Sequence, residues 1–247
     1  MKHTLYGATL LGTLVLGLLP AGAGERRFAY TYDSTTLSAG ELEYEQWFTF
    51  KDYDTKNRFE FRHELEYGIT DKLQVGAYLS DWRITKYDDG SSETEWRTAG
   101  FDVIYNLTHP GESFIGSALY GEVLIGPEKF ALEGKLLLEK RLGRVVIGYN
   151  AILEAEWEGA DYEEQVGVIE NTFGVSYQIN PSILIGFEGL HEIELAEWSD
   201  GRGVLYLGPN LSLRKNGFFV TAAGLFQTTE VSGEPDTQIR LLGGFHF

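Results

Sequence analysis

Carboxylate side chains recur at every second position in two adjoining stretches of this sequence. Glu41, Glu43 and Glu45 form one row, and Glu64 and Glu66 belong to the next. Side chains two residues apart share one face of a β-strand, so each row would present its carboxylates together. Grouped carboxylates can act as acid and base, bind a metal ion or attract cations into a pore. Acidic residues number 37 in a chain of 247, however, and this abundance makes no single pair specific for catalysis.

Histidine does not complete a catalytic group in this sequence. By strand parity His63 and His191 fall on the apolar face, His246 falls on the polar face, and His109 lies in a turn. Neither an HExxH zinc motif nor a glycine-rich phosphate loop occurs. We therefore predict no enzyme, no cofactor and no metal site. Calcium at the acidic loops, such as the one at Asp88, stays an alternative, although a solvated acidic loop is more usual.

The charge balance and the lack of cysteine exclude several classes of protein. A formal net charge of -17 would repel phosphate groups, so nucleic acid is not an expected partner. With no cysteine, the chain has neither disulfides nor thiolate metal ligands. Beyond residue 23 no apolar run is long enough for a membrane helix, so any crossing of a membrane must use strands.

Apolar and polar residues alternate through most of the chain. Leu42, Tyr44 and Phe48 share one face of the first segment, and Glu43 and Glu45 share the other. A period of two predicts strands. The sequence therefore predicts an all-β fold, a transmembrane antiparallel up-and-down β-barrel of about 12 strands. The predicted strands are 40–51, 57–68, 73–84, 96–107, 113–126, 131–142, 144–158, 166–179, 183–196, 203–213, 217–228 and 237–247.

Two positions complicate this pattern. Pro209 falls inside a predicted strand, where it cannot donate a ladder hydrogen bond, so we expect a bulge or bend at Gly208-Pro209. The strand 217–228 can be phased either way, because its alternation is weak.

Strand length and aromatic placement indicate that the apolar face is the outer one. Many predicted strands have ten or more residues, enough to cross a bilayer at a tilt. Aromatic residues gather near the strand ends, Phe59 and Trp157 toward the longer loops and Tyr67 and Tyr177 toward the short turns. Two such belts match the two membrane interfaces. We expect a barrel in the outer membrane, with its short turns in the periplasm and membrane lipid around it.

The polar face would then line the lumen, and acids outnumber bases there. The structural alternative is a lumen filled by cross-strand ion pairs. The functional one is a cation-preferring pore, with mixed layers below and an acidic mouth above. The lumen-lining candidates are Glu43, Glu45, Arg58, Arg62, Glu64, Glu154 and Glu188.

The sequence divides into three parts. Residues 1–23 have a basic start, a short apolar core and a small-residue Ala21-Gly22-Ala23 end, which predicts a cleaved signal peptide rather than a membrane anchor. Residues 24–39 form an N-terminal lead segment of uncertain structure, and 40–247 form a single barrel.

The last strand and three hairpin regions carry resemblances to known proteins. The alternating apolar residues that end in Phe245 and Phe247 resemble the assembly signal of bacterial outer-membrane proteins, which implies the barrel-assembly machinery as a partner. The segments GELEYEQW (40–47), YGITDKLQVGAYL (67–79) and YNLTHPGES (105–113) resemble the barrels near the phenol-degradation MetA-pathway family. That resemblance implies transport and brings no catalytic residues.

Three functions follow as hypotheses. The first is a narrow channel or passive transporter for small solutes of unknown identity, with an acidic, cation-preferring lumen. The second is a structural or interaction barrel with a closed lumen. The third, a barrel enzyme, has no visible site in the sequence.

Overall fold

The computed structural model describes residues 26–201 and 203–247, so the predicted signal peptide lies outside the described residues. Each strand pairs antiparallel with the next one in the chain, and the first pairs with the last to close the barrel. This confirms the predicted twelve-stranded up-and-down barrel. The strands are β1 (Leu42–Tyr53), β2 (Lys56–Thr70), β3 (Leu73–Tyr87), β4 (Ser92–Thr108), β5 (Gly116–Ile125), β6 (Lys129–Leu142), β7 (Val145–Glu158), β8 (Glu164–Asn180), β9 (Ile183–Glu194), β10 (Val204–Lys215), β11 (Phe218–Gln227) and β12 (Thr237–His246).

The two faces of the barrel have opposite polarity. Large apolar side chains such as Phe101, Leu153 and Ile239 are exposed on the outside. Carboxylate and amide side chains such as Glu45 and Asn150 are buried on the inside. Apolar outside and polar inside is the distribution of a barrel whose outer wall contacts lipid. Among the described residues no helix is long and apolar enough to span a membrane.

The connections differ at the two ends of the barrel. At the end we call the turn end, β2–β3, β6–β7, β8–β9 and β10–β11 are joined by two residues each and β4–β5 by seven, whereas the loop-end connections range from two residues in β1–β2 to nine in β9–β10. Asn216 and Gly217 both have positive φ, 53° and 80°, as the Asn-Gly turn of a tight hairpin requires. At the opposite loop end, a short 3-10 helix (Leu195–Asp200) follows β9, which therefore ends two residues before its predicted limit.

The sheet departs from strict alternation around the middle of β3. The β3–β4 register shifts between Tyr78 and Asp81, so both of these side chains face inward although they are an odd number of positions apart. A bulge has this effect because it inserts extra residues into one strand of a pair.

The two complications of the sequence are settled by the structure. The expected bulge at Pro209 is wrong, since the β10–β11 and β9–β10 registers are the same on both sides of it. An added Cβ at Gly208 would lie 1.8 Å from the carbonyl oxygen of Gly224, so glycine lets the two backbones approach here. In β11, Phe219 is buried inside the barrel and Phe218 is exposed outside.

Candidate functional site

The lead segment runs through the interior of the barrel. We call its described part, residues 26–39, the luminal segment. No strand pairs with this part of the chain, yet several of its large side chains are buried inside the barrel, namely Phe28, Tyr30, Tyr32 and Leu37. Backbone polar groups that join no ladder need other partners when they are buried. Side chains of the barrel wall supply them.

Glu188 on β9 holds the first half of the luminal segment. Its carboxylate accepts hydrogen bonds from the backbone N–H groups of Ala29, Tyr30 and Thr31, at 2.7, 2.8 and 3.1 Å. Asn210 on β10 donates to the same carboxylate at 3.1 Å. A buried carboxylate is stable when its oxygens receive several such bonds, so Glu188 here anchors the backbone of the segment.

Amide and carboxylate side chains hold the second half as it crosses the lumen. Asn150 on β7 accepts from the N–H of Tyr32 at 2.7 Å and donates to its carbonyl oxygen at 3.0 Å. Glu139 on β6 accepts from the N–H of Ser34 at 3.0 Å. The segment is thus tied to several separate strands, and it spans the lumen instead of lying along one wall.

Arg26 anchors the start of the described segment. Its guanidinium forms two hydrogen bonds with the buried carboxylate of Glu45, at 3.0 and 3.2 Å. The same group lies 3.9 Å from the centre of the Tyr32 ring, within range of a cation–π contact. The hydroxyls of Ser212 and Thr221 donate to the carbonyl oxygen of Arg26. Arg26 is therefore held both by the ion pair of its side chain and by the hydrogen bonds to its backbone carbonyl oxygen.

Small residues in the wall make room for the aromatic side chains of the segment. An added Cβ would lie 2.5 Å from the Phe28 ring at Gly174 and 3.3 Å from it at Gly148. Elsewhere the segment packs on inward apolar residues. Tyr32 belongs to one such cluster, in which the wall contributes Trp47, Ile104, Ala118, Tyr120, Leu137, Phe219 and Leu242. Tyr30 belongs to another, in which the wall contributes Leu190, Val204, Tyr206, Ala223 and Leu225. The middle of the lumen is therefore a packed core.

A cavity of about 260 Å³ lies on the loop side of the luminal segment. Tyr30 and Tyr32 form part of its lining. Its wall carries eight acidic and seven basic side chains, many of them paired, as in Lys51–Glu60 at 3.4 Å. This nearly balanced set comprises Glu60, Asp81, Glu122, Glu133, Glu154, Glu156, Glu170 and Glu192 with Lys51, Arg62, Arg83, Arg97, Lys129, Lys135 and Arg240.

The acid excess lies on the other side of the segment. Glu43, Glu45, Glu64, Glu66 and Asp102 are all buried toward the turn end, and we call them the turn-side acidic cluster. A cavity of only about 30 Å³ separates part of this cluster from the segment. The predicted order of layers is therefore reversed, because the mixed layer faces the loops and the acidic layer faces the turns.

The luminal segment separates the sequence-predicted residues into two groups. Glu43, Glu45 and Glu64 lie in the turn-side acidic cluster, and Glu188 binds the segment itself. On the loop side, Arg62 and Glu154 line the large cavity. Arg58 lies near the loop end and donates to the Tyr53 hydroxyl at 3.1 Å.

Sequence reasoning missed Arg26 and the luminal segment as a whole. A signal was present, because Ile104, Leu137 and Leu242 are apolar at inward-facing positions of otherwise polar strand faces. Apolar residues in a water-filled lumen would be unfavourable, so such positions indicate that something covers them.

The fold is similar to several solved barrels at very low identity. A NanC porin in a rhombohedral crystal form is 8% identical, with a TM-score of 0.56 over 83% of this chain and 98% of that chain. A KdgM porin in complex with disordered oligogalacturonate is 9% identical, with a TM-score of 0.52 over 84% and 98%. LpxR from Salmonella typhimurium is 8% identical, with a TM-score of 0.53 over 84% and 100%.

Sequence comparison places the chain more narrowly. No curated protein matches it. The matching family model is not that of the MetA-pathway barrels, and the resemblance of the three hairpin segments to those barrels is not shown. The match covers residues 20–238, and the chain therefore belongs to the family of unknown function DUF6662.

Proposed function

We propose that this chain is an outer-membrane channel for small polar solutes, closed in the described conformation by the luminal segment. The observation that carries the proposal is the position of that segment between a loop-side cavity and the turn-side acidic cluster. The segment joins no strand ladder, and side-chain contacts hold it to the wall. It can therefore leave the lumen without breaking the barrel.

Two further observations support a membrane channel. The outer wall is apolar and the strands are long enough to cross a bilayer, which suits an outer-membrane location reached through the barrel-assembly machinery. The similar folds include porins, one of them in complex with an oligogalacturonate. By that analogy the solute would be polar, and it would meet the mixed charges of the loop-side cavity first.

The cation preference is part of the same proposal. The loop-side cavity is nearly neutral in formal charge, so selectivity would arise at the turn-side acidic cluster once the segment has moved. Carboxylates around a narrow passage attract cations and repel anions. We expect Glu43→Gln with Glu64→Gln to lower cation selectivity, measured as reversal potential across a salt gradient. Glu154→Gln with Glu156→Gln is the matched control, because it removes the same charge and both carboxylates pair with Lys129 in the balanced cavity.

A permanently closed structural barrel is the second candidate. The number of buried contacts to the luminal segment favours it, since Arg26, the Ala29–Thr31 backbone, Tyr32 and Ser34 are all bound. In that case the acidic outer loops would be the interacting surface.

Conductance in a planar bilayer separates the two candidates. A Thr31→Cys, Gly148→Cys pair can lock the segment, because an added Cβ at Gly148 would lie 2.9 Å from Thr31 Cγ2 and the chain has no other cysteine. We expect current steps from the native chain, none from the oxidised pair, and recovery after reduction. A chain that starts at Ser38 should conduct continuously. A silent native chain beside a conducting truncated one would favour the closed barrel.

A further inference from the structure

Three buried carboxylates converge on the backbone of β3 at Gly76. Glu64 and Glu66 come from β2 and Asp102 from β4, and their side chains are almost completely removed from solvent. One oxygen from each lies within 4.8 Å of the other two. That separation is about twice the 2.3–2.6 Å bond from Ca²⁺ to oxygen, so one ion can reach all three.

Two of these carboxylates have unmet bonding capacity. The carboxylates of Glu64 and Asp102 face each other, and no backbone, hydroxyl, amide or basic group among the described residues donates a hydrogen bond to either of them. Their exposed fractions are 0% and 4%, so bulk water does not compensate for them. Buried carboxylates in proteins are normally paired, hydrogen-bonded or bound to a metal. Arg26, the nearby guanidinium, is already engaged with Glu45.

Glycine at position 76 leaves the space in which these oxygens meet. An added Cβ there would lie 1.9 Å from Asp102 Oδ2 and 2.8 Å from Glu64 Oε1. Any other residue would push the two carboxylates apart. The missing side chain at Gly76 therefore creates the space between the carboxylates, and this is an observation separate from their charge.

We propose that Glu64, Glu66 and Asp102 bind one Ca²⁺ ion in the wall of the lumen. Carboxylate oxygens are hard ligands, and Ca²⁺ accepts an irregular set of them, whereas Mg²⁺ requires a near-ideal octahedron. The adjoining cavity of about 30 Å³ is lined by Glu66 and has room for a coordinating water. The sequence predicted no metal here, because its acidic rows did not show which carboxylates meet.

The ion would also stabilise the luminal segment. Gln74 donates to Glu66 Oε1 at 2.7 Å and accepts from the N–H of Leu37 at 2.8 Å. An ion that holds Glu66 in place therefore positions Gln74 and, through it, the end of the segment. This inference does not depend on transport, because a closed barrel would bind the ion equally well.

Terbium luminescence in the refolded full barrel tests the site. Tb³⁺ takes the same oxygen ligands as Ca²⁺, and Trp47 beside the turn-side acidic cluster, 2.9 Å from Glu45 Oε2, can sensitise its emission. After treatment with a chelator, we expect Tb³⁺ to give sensitised emission that Ca²⁺ displaces. With excitation at a wavelength that tryptophan absorbs and tyrosine does not, Trp47→Phe should strongly lower the emission and leave the Ca²⁺ affinity, measured by calorimetry, unchanged.

Variants distinguish this site from general acidity. Glu64→Gln with Asp102→Asn should lower Ca²⁺ affinity at least about tenfold, because two charged ligands are lost. Glu154→Gln with Glu156→Gln, an equal charge change on the loop side, should leave it within about twofold. No Ca²⁺ binding to the native barrel would overturn the proposal. Equal losses in the two double variants would overturn it as well. Heat-modifiable migration on a gel confirms that each variant is folded.

Discussion

Replacing Glu188 with Ala tests how firmly the luminal segment is held. The Glu188 carboxylate accepts backbone hydrogen bonds from Ala29, Tyr30 and Thr31. Alanine offers no acceptor at this position, so the three N–H groups would stay buried without partners whenever the segment is in place. We therefore expect the displaced state of the segment to become more populated, while the strand ladders of the barrel stay intact.

The size of the effect follows from these three bonds. A hydrogen bond to a charged group contributes about 1.5–3 kcal/mol. Bonds made by one carboxylate are not additive, and water entering the vacated space restores part of the loss. We therefore expect about 3 kcal/mol, which corresponds to a rise of roughly 100-fold in the displaced population. Glu188→Gln keeps one acceptor oxygen and should raise the population only about tenfold.

A single cysteine in the segment reports the displacement. Thr31 is 1% exposed, its hydroxyl has no hydrogen-bond partner among the described residues, and the chain has no cysteine of its own. In a Thr31→Cys chain, the rate of modification by a small thiol reagent is proportional to the displaced population when reclosing is fast. Glu170→Gln is the control, because Glu170 lines the loop-side cavity without a hydrogen bond to the segment among the described residues.

Two results would refute the reasoning. An unchanged modification rate in the Glu188→Ala chain would mean that these backbone bonds do not hold the segment. An equal rise in the Glu170→Gln chain would mean that any loss of lumen charge loosens the barrel. Unheated samples should keep the mobility of a folded barrel throughout.

Further predictions concern packing, lipid contact and biogenesis. Gly174→Ala should raise the modification rate of the Thr31→Cys chain about tenfold, because the added methyl group overpacks against the Phe28 ring. Adding Phe28→Ala to that variant should reverse the rise, and an unchanged rate would contradict the proposed contact between the two residues. Leu241→Lys, outward near the middle of β12, should lower the free energy of unfolding from lipid vesicles by about 2–4 kcal/mol, and a neutral result would argue against a lipid-facing wall. The N–H of Phe247 donates to the carbonyl oxygen of Leu42 at 2.9 Å, where the first and last strands close the barrel. Removal of Phe247 should reduce the folded fraction in cells, and a normal yield would show that the C-terminal Phe is not needed for assembly. The mature protein should fractionate with the outer membrane and begin near Gly24, which soluble periplasmic recovery would contradict.

The repeating architecture could be predicted because it is local. A strand places alternate residues on opposite faces, so the pattern around Leu42 and Glu43 reveals both the strand and its two environments. The same rule correctly placed His246 on the inward face, where its Nε2 lies 2.7 Å from Glu43 Oε2. Strict alternation does not hold in β3, where a bulge brings Asp81 into the lumen, because a bulge depends on the pairing partner as well as on the strand itself.

The sequence by itself determined twelve strands, the polarity of each wall and the excess of acid, because these follow from residue type and a period of two. Only the tertiary structure decided what fills the lumen. Residues 26–39 have no partner strand, and Glu188, Asn150 and Glu139, which bind them, are separated from them by more than a hundred positions in the chain. The tertiary structure also decided which charges meet. Glu64 and Asp102 come together only when β2 and β4 both pair with β3 and Gly76 leaves room for both carboxylates.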